Sequence, residues 1–284
     1  MKKTLLILFF CLCSAVLMAQ STPIVYKLWP AGAPNSNGAT AEHPASGGQK
    51  YDFEPTLTVF PAAEPNGLAV VCCPGGGYYM LSNTHEGRMF NTWYNERGIT
   101  FALLDYRMPG GHKDVPLSDV QQAMRIVNEH AAEWKVTKIG IMGSSAGGHL
   151  ASTAATHYVD EATRPAFQIL FYPVISMDKA ITHASSREFL IGAEPSEEDI
   201  ALFSNELQVT KETAPAFLIH CSDDSVVPVE NSIRYYQALV KNGVSASLHI
   251  YPKGNHGWGA IPQYPYHEQW SSELEKWIKT EILK

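Results

Sequence analysis

The sequence predicts an α/β fold in which a mostly parallel central sheet carries helices on both faces. Short apolar, β-branched segments alternate with segments of helical periodicity along most of the chain. This alternation is typical of parallel strands joined by crossover helices. No Pro-, Gly- or Ser-rich linker divides the 284 residues, so we expect a single folded domain after the N-terminal segment.

Six segments are predicted to be strands of the parallel part of the sheet, because they are short and rich in apolar and β-branched residues. They are Leu68–Cys73, Thr100–Asp105, Lys138–Met142, Phe167–Tyr172, Ala216–His220 and Ser247–Tyr251. Thr56–Phe60 is expected to form an earlier, antiparallel strand.

The segments between these strands have helical spacing. The predicted helices are Glu86–Arg97, Ser118–Trp134, Gly147–His157, Val229–Lys241 and a last helix that contains Trp270–Ile278. In the second of them, Val120, Met124 and Val127 share one face. Residues 177–210 contain no clear strand, and we expect them to form a small helical insertion over the edge of the sheet.

Composition excludes one class of protein and disfavours another. The chain is 45% hydrophobic and carries 28 acidic against 21 basic residues, for a net charge of −7. This hydrophobic content is too high for an intrinsically disordered chain. The acidic balance argues against nucleic acid as a partner, because nucleic-acid-binding domains have a basic surplus.

The first 19 residues have the pattern of a signal peptide. Lys2 and Lys3 precede the apolar run Thr4–Met18, and Ala19 is a small residue suited to a cleavage site. The alternative is an uncleaved membrane anchor, but the run is short for a span of about 20 residues. We therefore expect residues 20–284 to be the mature domain, periplasmic or secreted and without stable membrane insertion.

A nucleophile is predicted at Ser145. Residues 143–147 fit the pattern G-x-S-x-G, between an apolar strand and a helix rich in small residues. A turn this tight requires glycine at positions 143 and 147, because side chains there would collide. The turn presents the serine at its tip, and the helix N-terminus favours negative charge beside it.

A second glycine-rich segment, Pro74–Tyr78, follows another apolar strand. Its bare backbone suits an oxyanion hole, in which N–H groups bind the negative oxygen that forms when a serine attacks a carbonyl. We predict that Gly76, Gly77 and Ala146 supply these donors. A phosphate cradle is disfavoured, because no Lys-Ser/Thr pair follows the glycines.

A nucleophilic serine requires a base, and the base requires a carboxylate to orient it. Among the 11 histidines, His256 is the preferred base, because it lies between glycines in a loop after the last strand. The carboxylate is expected between serine and histidine in chain order. Asp224 is preferred, and Asp223 remains the alternative.

This order of motifs resembles the α/β-hydrolase superfamily and, within it, the bacterial acetylxylan-esterase-like carbohydrate esterases. The matching stretches span nearly the whole mature chain: Leu28–Asn35, Pro74–Tyr78, His85–Gly87, Asp105–Arg107, Gly143–Leu150, Cys221–Pro228 and Gly254–Gly257. One departure is Pro74, where lipase-like relatives have a histidine before the glycines. It makes membership of the lipase branch a weaker expectation.

The resemblance implies an α/β-hydrolase fold and a serine esterase that removes acetyl groups from plant polysaccharide such as xylan, without metal or cofactor. Tyr78, Glu86 and Trp258 are candidate contacts to an acetylated carbohydrate, and Tyr79 and Tyr264 lie in or beside the same loops. The four aromatic residues are as consistent with packing of the loops, and Glu86 is as consistent with a helix cap. The alternatives are a general carboxylesterase, a prolyl-oligopeptidase-like peptidase or a non-catalytic carbohydrate-binding protein. Oligomeric state is left open.

Cysteine usage does not indicate a disulfide framework. Two of the five cysteines precede residue 20, which leaves Cys72, Cys73 and Cys221 as buried hydrophobic residues. In the sheet order of the superfamily, two strands separate Cys73 from Cys221. At about 4.8 Å per strand the gap is roughly 14 Å, too wide for a disulfide.

Overall fold

The computed structural model describes residues 22–43 and 53–284. The predicted signal peptide lies outside the described residues. Within those two ranges, no helix has both the length and the apolar composition required to cross a bilayer.

The fold is built around an eight-stranded sheet in the order β1-β2-β4-β3-β5-β6-β7-β8. The first two strands run antiparallel to their neighbours and the other six are parallel. The strands are β1 (Ile24–Lys27), β2 (Thr56–Phe60), β3 (Leu68–Cys73), β4 (Thr100–Asp105), β5 (Lys138–Ser144), β6 (Gln168–Phe171), β7 (Ala216–Cys221) and β8 (Ala246–Tyr251). The mostly parallel sheet and its seven predicted strands are confirmed, whereas β1 was not predicted.

Helices cover both faces of the sheet. They are α1 (Phe90–Asn95), α2 (Asp114–Glu129), α3 (Ala146–Thr156), α4 (Ala184–Ile191), α5 (Glu197–Phe203), α6 (Glu230–Lys241) and α7 (His267–Trp277). Helices α2, α3 and α6 pack on one face, against side chains such as Val71 and Leu218. Helices α1 and α7 pack on the other face, against Val70 and Phe217. Alternate residues of one strand therefore serve two separate cores.

Two predicted helices have different bounds in the structure. The helix predicted over Glu86–Arg97 is a π-helical turn at Thr84–Arg88 followed by the shorter α1. The helix predicted to begin at Ser118 begins at Asp114, with Pro116 in its first turn. Proline is tolerated there because the first N–H groups of a helix have no intrahelical acceptor.

The segment predicted as an insertion contains α4 and α5, between β6 and β7. It contacts the loops that follow β3 and β4, at the carboxyl edge of the sheet, as expected of an insertion over the sheet edge. Phe189 accepts a hydrogen bond from Gly111 N–H at 2.7 Å. Its ring lies 5.4 Å from that of Tyr79, directly after the glycine-rich segment Pro74–Tyr78, here called the glycine loop. Lys113 forms an ion pair with Asp199 of α5.

A buried ion pair connects the segment Leu28–Asn35 to the sheet. Asp119 of α2 accepts hydrogen bonds from the Arg107 guanidinium at 2.7 and 3.0 Å, from Arg107 N–H at 2.9 Å and from Trp29 Nε1 at 2.7 Å. The guanidinium also donates to the Asn35 carbonyl at 2.7 Å. Two of the sequence stretches that carry the resemblance, Leu28–Asn35 and Asp105–Arg107, thus meet at one carboxylate.

The cysteine prediction agrees with the sheet order. Strands β5 and β6 lie between the strands that end at Cys73 and Cys221. Both thiols are free and buried, as is Cys72.

Candidate active site

Ser145 lies at a strained turn between β5 and α3. Its φ of 56° and ψ of −124° are unusual for a residue with a side chain. A Cβ atom at Gly143 would lie 2.0 Å from the Gly147 carbonyl oxygen, and one at Gly147 would lie 2.1 Å from the Cys73 carbonyl oxygen. The turn therefore requires both glycines, and it presents the serine directly before the first turn of α3.

His256 connects the serine to a carboxylate. Its Nε2 lies 2.8 Å from Ser145 Oγ, and its Nδ1 lies 2.7 Å from Asp224 Oδ2. An ionised carboxylate only accepts hydrogen bonds, so His256 Nδ1 donates to Asp224. With its proton on Nδ1, the ring accepts a hydrogen bond from the Ser145 hydroxyl at Nε2. This is the arrangement in which a histidine acts as base for a serine nucleophile.

Asp224 is held ionised. Its Oδ1 accepts hydrogen bonds from the N–H groups of Val226 at 2.9 Å and Val227 at 2.8 Å. Burial alone would raise its pKa, but hydrogen bonds from His220 and His256 hold the pKa of this carboxyl well below its usual range. The charge that orients His256 is therefore present across the neutral pH range.

The two adjacent aspartates have separate contacts. Asp223 does not bond the His256 ring; its carboxylate accepts from the backbone N–H groups of Gly254 at 3.2 Å and Asn255 at 2.8 Å. Asp224, the preferred carboxylate, thus contacts the His256 ring. Asp223, the alternative, binds the backbone of the loop that carries His256.

His220 is a contact that the sequence reasoning missed. Its Nε2 faces two acceptors, Asp224 Oδ2 at 3.2 Å and the Val227 carbonyl oxygen at 2.9 Å, so this nitrogen carries a proton. Its Nδ1 lies 2.8 Å from Ser232 Oγ. The available signal was its position at the end of β7, four residues before Asp224.

The glycine loop follows β3. Gly76 has a φ of 124°, and its carbonyl accepts from the N–H groups of Tyr79 and Met80 in a tight turn. Among residues 22–43 and 53–284, no carbonyl or side chain accepts a hydrogen bond from the N–H of Gly76, Gly77 or Ala146. The role of these three N–H groups as an oxyanion hole stays a prediction. Within the described residues they have no acceptor, so they are available to bind a ligand oxygen.

Replacing Gly76 with alanine is expected to lower kcat for an aryl acetate by about 100- to 1,000-fold, the usual cost of losing an oxyanion donor. The physical reason is steric, because a Cβ atom here would lie 2.0 Å from the Met80 carbonyl oxygen. Gly111→Ala is the matched control, since that glycine has a φ of 86° but no atom within 4 Å of its added Cβ. Equal kcat values for the two variants would contradict the prediction.

The three predicted substrate contacts are packed inside the protein. Tyr78 is buried with its hydroxyl 3.0 Å from His149 Nδ1. Trp258 stacks on Tyr264 with ring centroids 4.0 Å apart, and Glu86 is also buried. Contact of these side chains with a ligand stays a prediction. Their observed contacts are those expected of residues that support the loops.

Two side chains near the glycine loop are more open. Tyr79 is 45% exposed and packs against Phe189 of α4. His183, at the start of α4, lies 3.7 Å from the position that a Gly77 Cβ would occupy, and its Nδ1 contacts Ser186 Oγ at 2.8 Å. The insertion thus forms one wall beside the candidate nucleophile. Sequence reasoning did not select His183.

Comparison with known proteins supplies the family. The BD-FAE family model matches residues 59–239. The chain is 42% identical over 235 residues to an acetylxylan esterase of Xylanibacter ruminicola, covering 81% of this chain and 49% of that protein. It is 36% identical over 201 residues to endo-1,4-beta-xylanase B of Butyrivibrio fibrisolvens, covering 65% and 31%. The chain therefore spans about half or less of the length of these curated relatives.

A solved structure extends the match to nearly the full domain. The acetyl ester-xyloside bifunctional hydrolase of Caldicellulosiruptor lactoaceticus superposes with a TM-score of 0.78 at 33% sequence identity. The match covers 90% of this chain and 95% of the other. Fold and sequence therefore agree on one family.

Proposed function

Because the chain belongs to the BD-FAE family of α/β-hydrolases, we propose that it is a serine esterase that removes acetyl groups from xylan-type polysaccharides or oligosaccharides. The observation that carries the proposal is the hydrogen-bonded series Ser145 Oγ, His256, Asp224, with distances of 2.8 and 2.7 Å. The acetylxylan esterase and xylanase names of the relatives support the choice of substrate.

In the proposed reaction, Ser145 Oγ attacks the acetyl carbonyl carbon as His256 Nε2 takes its proton. Asp224 orients the ring and stabilises the imidazolium that forms. The N–H groups of Gly76, Gly77 and Ala146 bind the carbonyl oxygen as it becomes negative. Collapse of this intermediate breaks the bond between the carbonyl carbon and the sugar oxygen, which takes the proton from His256 and leaves as a hydroxyl. Water then attacks the acetyl-enzyme as His256 takes its proton. The bond to Ser145 Oγ breaks, His256 returns the proton to Oγ, and acetate leaves.

The sugar is proposed to lie against the insertion. Tyr79 presents an exposed ring beside the glycine loop, and aromatic rings of this kind pack against apolar faces while their polar edge stays in water. His183 adds an imidazole on the same side. These side chains suit the alcohol part of the ester, whereas the glycine loop suits the acyl part.

A chain-length series of aryl esters, run beside acetylated xylan, tests the function. We expect acetate release from the xylan and a preference for aryl acetate over butyrate, with each extra methylene costing about tenfold or more in kcat/KM if the acyl pocket is small. Preference for long acyl chains would favour a general carboxylesterase. Cleavage of a proline-containing peptide would favour a peptidase, and no turnover would favour a carbohydrate-binding protein.

Export is also proposed, on the pattern of residues 1–19 alone. N-terminal sequencing of the protein from the periplasmic and culture fractions tests it. A mature chain that begins at Gln20 supports cleavage, whereas a membrane-bound protein with an intact N-terminus supports the anchor.

A further inference from the structure

Glu86 lies at the junction of three loops around the candidate triad. Its Oε2 accepts a hydrogen bond from the N–H of Gly75 at 3.1 Å, at the start of the glycine loop. Its Oε1 accepts from the hydroxyl of Tyr172 at 2.8 Å, directly after β6. The Tyr172 oxygen in turn accepts from the N–H of Gly259 at 2.7 Å, in the loop that carries His256. One buried carboxylate thus connects the glycine loop to the loop that carries His256.

The same carboxylate lies immediately beside the nucleophile. A Cβ atom built on Gly75 would lie 2.5 Å from Glu86 Oε2 and 2.9 Å from Ser145 Cβ. No side chain therefore fits between the carboxylate and the serine turn. The Tyr172 ring that Glu86 holds is 4.7 Å from the His256 ring, and Tyr172 itself has a φ of 35°. The carboxylate thus lies beside the serine turn, and the tyrosine that it binds lies beside His256.

Its charge also interacts with His256. Burial raises the pKa of Glu86, while the hydrogen bond from Tyr172 and the charges of His256 and His85 oppose that rise. Within the described chain, the titratable groups that face His256 also include Asp224 at Nδ1, Tyr172 with its ring 4.7 Å away, and His183 from α4. In its ionised form, Glu86 is a second anion near a protonated His256, besides Asp224, and the Tyr172 ring that it binds lies against the imidazole.

We propose that Glu86 is a positioning residue for ester hydrolysis, which holds the glycine loop and the His256 loop in register and favours the protonated ring of His256 during reaction. The inference rests on the proposed function. It differs from the predicted contact with substrate, because Glu86 is only 2% exposed and its carboxylate accepts hydrogen bonds from two loops of the protein.

The test measures kcat, KM and the pH profile of para-nitrophenyl acetate hydrolysis in Glu86→Gln and Tyr172→Phe. Glu86→Gln keeps the length of the side chain and removes its charge. We expect kcat to fall by about 10- to 100-fold, as for small displacements of catalytic groups, with little change in KM. The acid limb of kcat/KM moves to lower pH, because removal of a nearby negative charge disfavours the protonated form of the catalytic base.

Tyr172→Phe removes the connection to Gly259 and keeps the carboxyl group of Glu86, although loss of the hydrogen bond lets the pKa of Glu86 rise further. We expect kcat to fall, with a smaller shift of the acid limb than in Glu86→Gln, where the carboxyl group is absent. An unchanged kcat in this variant overturns the positioning role, even if Glu86→Gln does not fold. An unshifted acid limb in a folded Glu86→Gln protein overturns the electrostatic role.

Asp105→Asn is the matched control for removal of a buried carboxylate. Asp105 accepts from Asn83 Nδ2 at 3.2 Å and Thr56 Oγ1 at 3.5 Å, and burial raises its pKa as it does for Glu86. We expect this variant to leave the acid limb where it is. If the unmodified protein hydrolyses no ester, the proposed function fails. If it does and Glu86→Gln matches it in kcat and pH profile, only this inference fails.

Discussion

Replacing Ser145 with alanine is expected to lower kcat for aryl acetate hydrolysis by about ten-thousandfold or more, to the level that the oxyanion donors and binding alone sustain. The reason is that the Oγ atom 2.8 Å from His256 Nε2 is the proposed attacking atom. His256→Ala is expected to cost a similar factor. The double variant should lose little further activity, because residues that act as one unit are strongly non-additive.

The two adjacent aspartates provide the matched control for this prediction. Asp224→Asn keeps the shape of the side chain but lets His256 adopt the wrong tautomer, and about a ten-thousandfold loss is expected. Asp223→Ala removes only hydrogen bonds to the backbone of Gly254 and Asn255, so its loss should be much smaller. Wild-type turnover by Ser145→Ala would refute the serine mechanism, and equal losses at the two aspartates would refute the choice of Asp224.

The strands and the serine turn were predictable because their causes are local. The bounds of Leu68–Cys73 and Thr100–Asp105 agree with the structure residue for residue, since buried parallel strands are continuous apolar runs. The glycines at 143 and 147 follow from backbone crowding in a short turn. The alternating, half-exposed strand β1 has only four residues, too few for a periodic signal.

Features that depend on contacts distant in sequence were not predictable. Glu86 has the appearance of a helix residue, yet its side chain meets Tyr172, 86 positions away. The contact between Asp119 and Trp29 spans 90 positions. Periodicity predicts which face of an element is buried, but it does not tell which polar group lies opposite a carboxylate. The supporting residues of the site were therefore visible only in the structure.

Replacing Asp119 with alanine is expected to lower the free energy of unfolding by about 3–5 kcal/mol, the usual cost of leaving one member of a buried ion pair without its partner. The Arg107 and Asp119 side chains are only 4% and 0% exposed. Loss of the carboxylate leaves the guanidinium and Trp29 Nε1 without this acceptor. Urea denaturation, followed by tryptophan fluorescence, measures the change.

An exposed pair in the same chain is the appropriate comparison. Arg125 Nη2 lies 2.6 Å from Asp160 Oδ2, but the two side chains are 35% and 45% exposed. Water solvates both ions after either one is removed, so Asp160→Ala should leave the urea midpoint unchanged within experimental scatter. A similar midpoint shift in both variants would contradict the prediction. Since Asp119 joins the segment of Trp29 to the sheet, its loss should also increase proteolysis near the N-terminus, whereas loss of Asp160 should not.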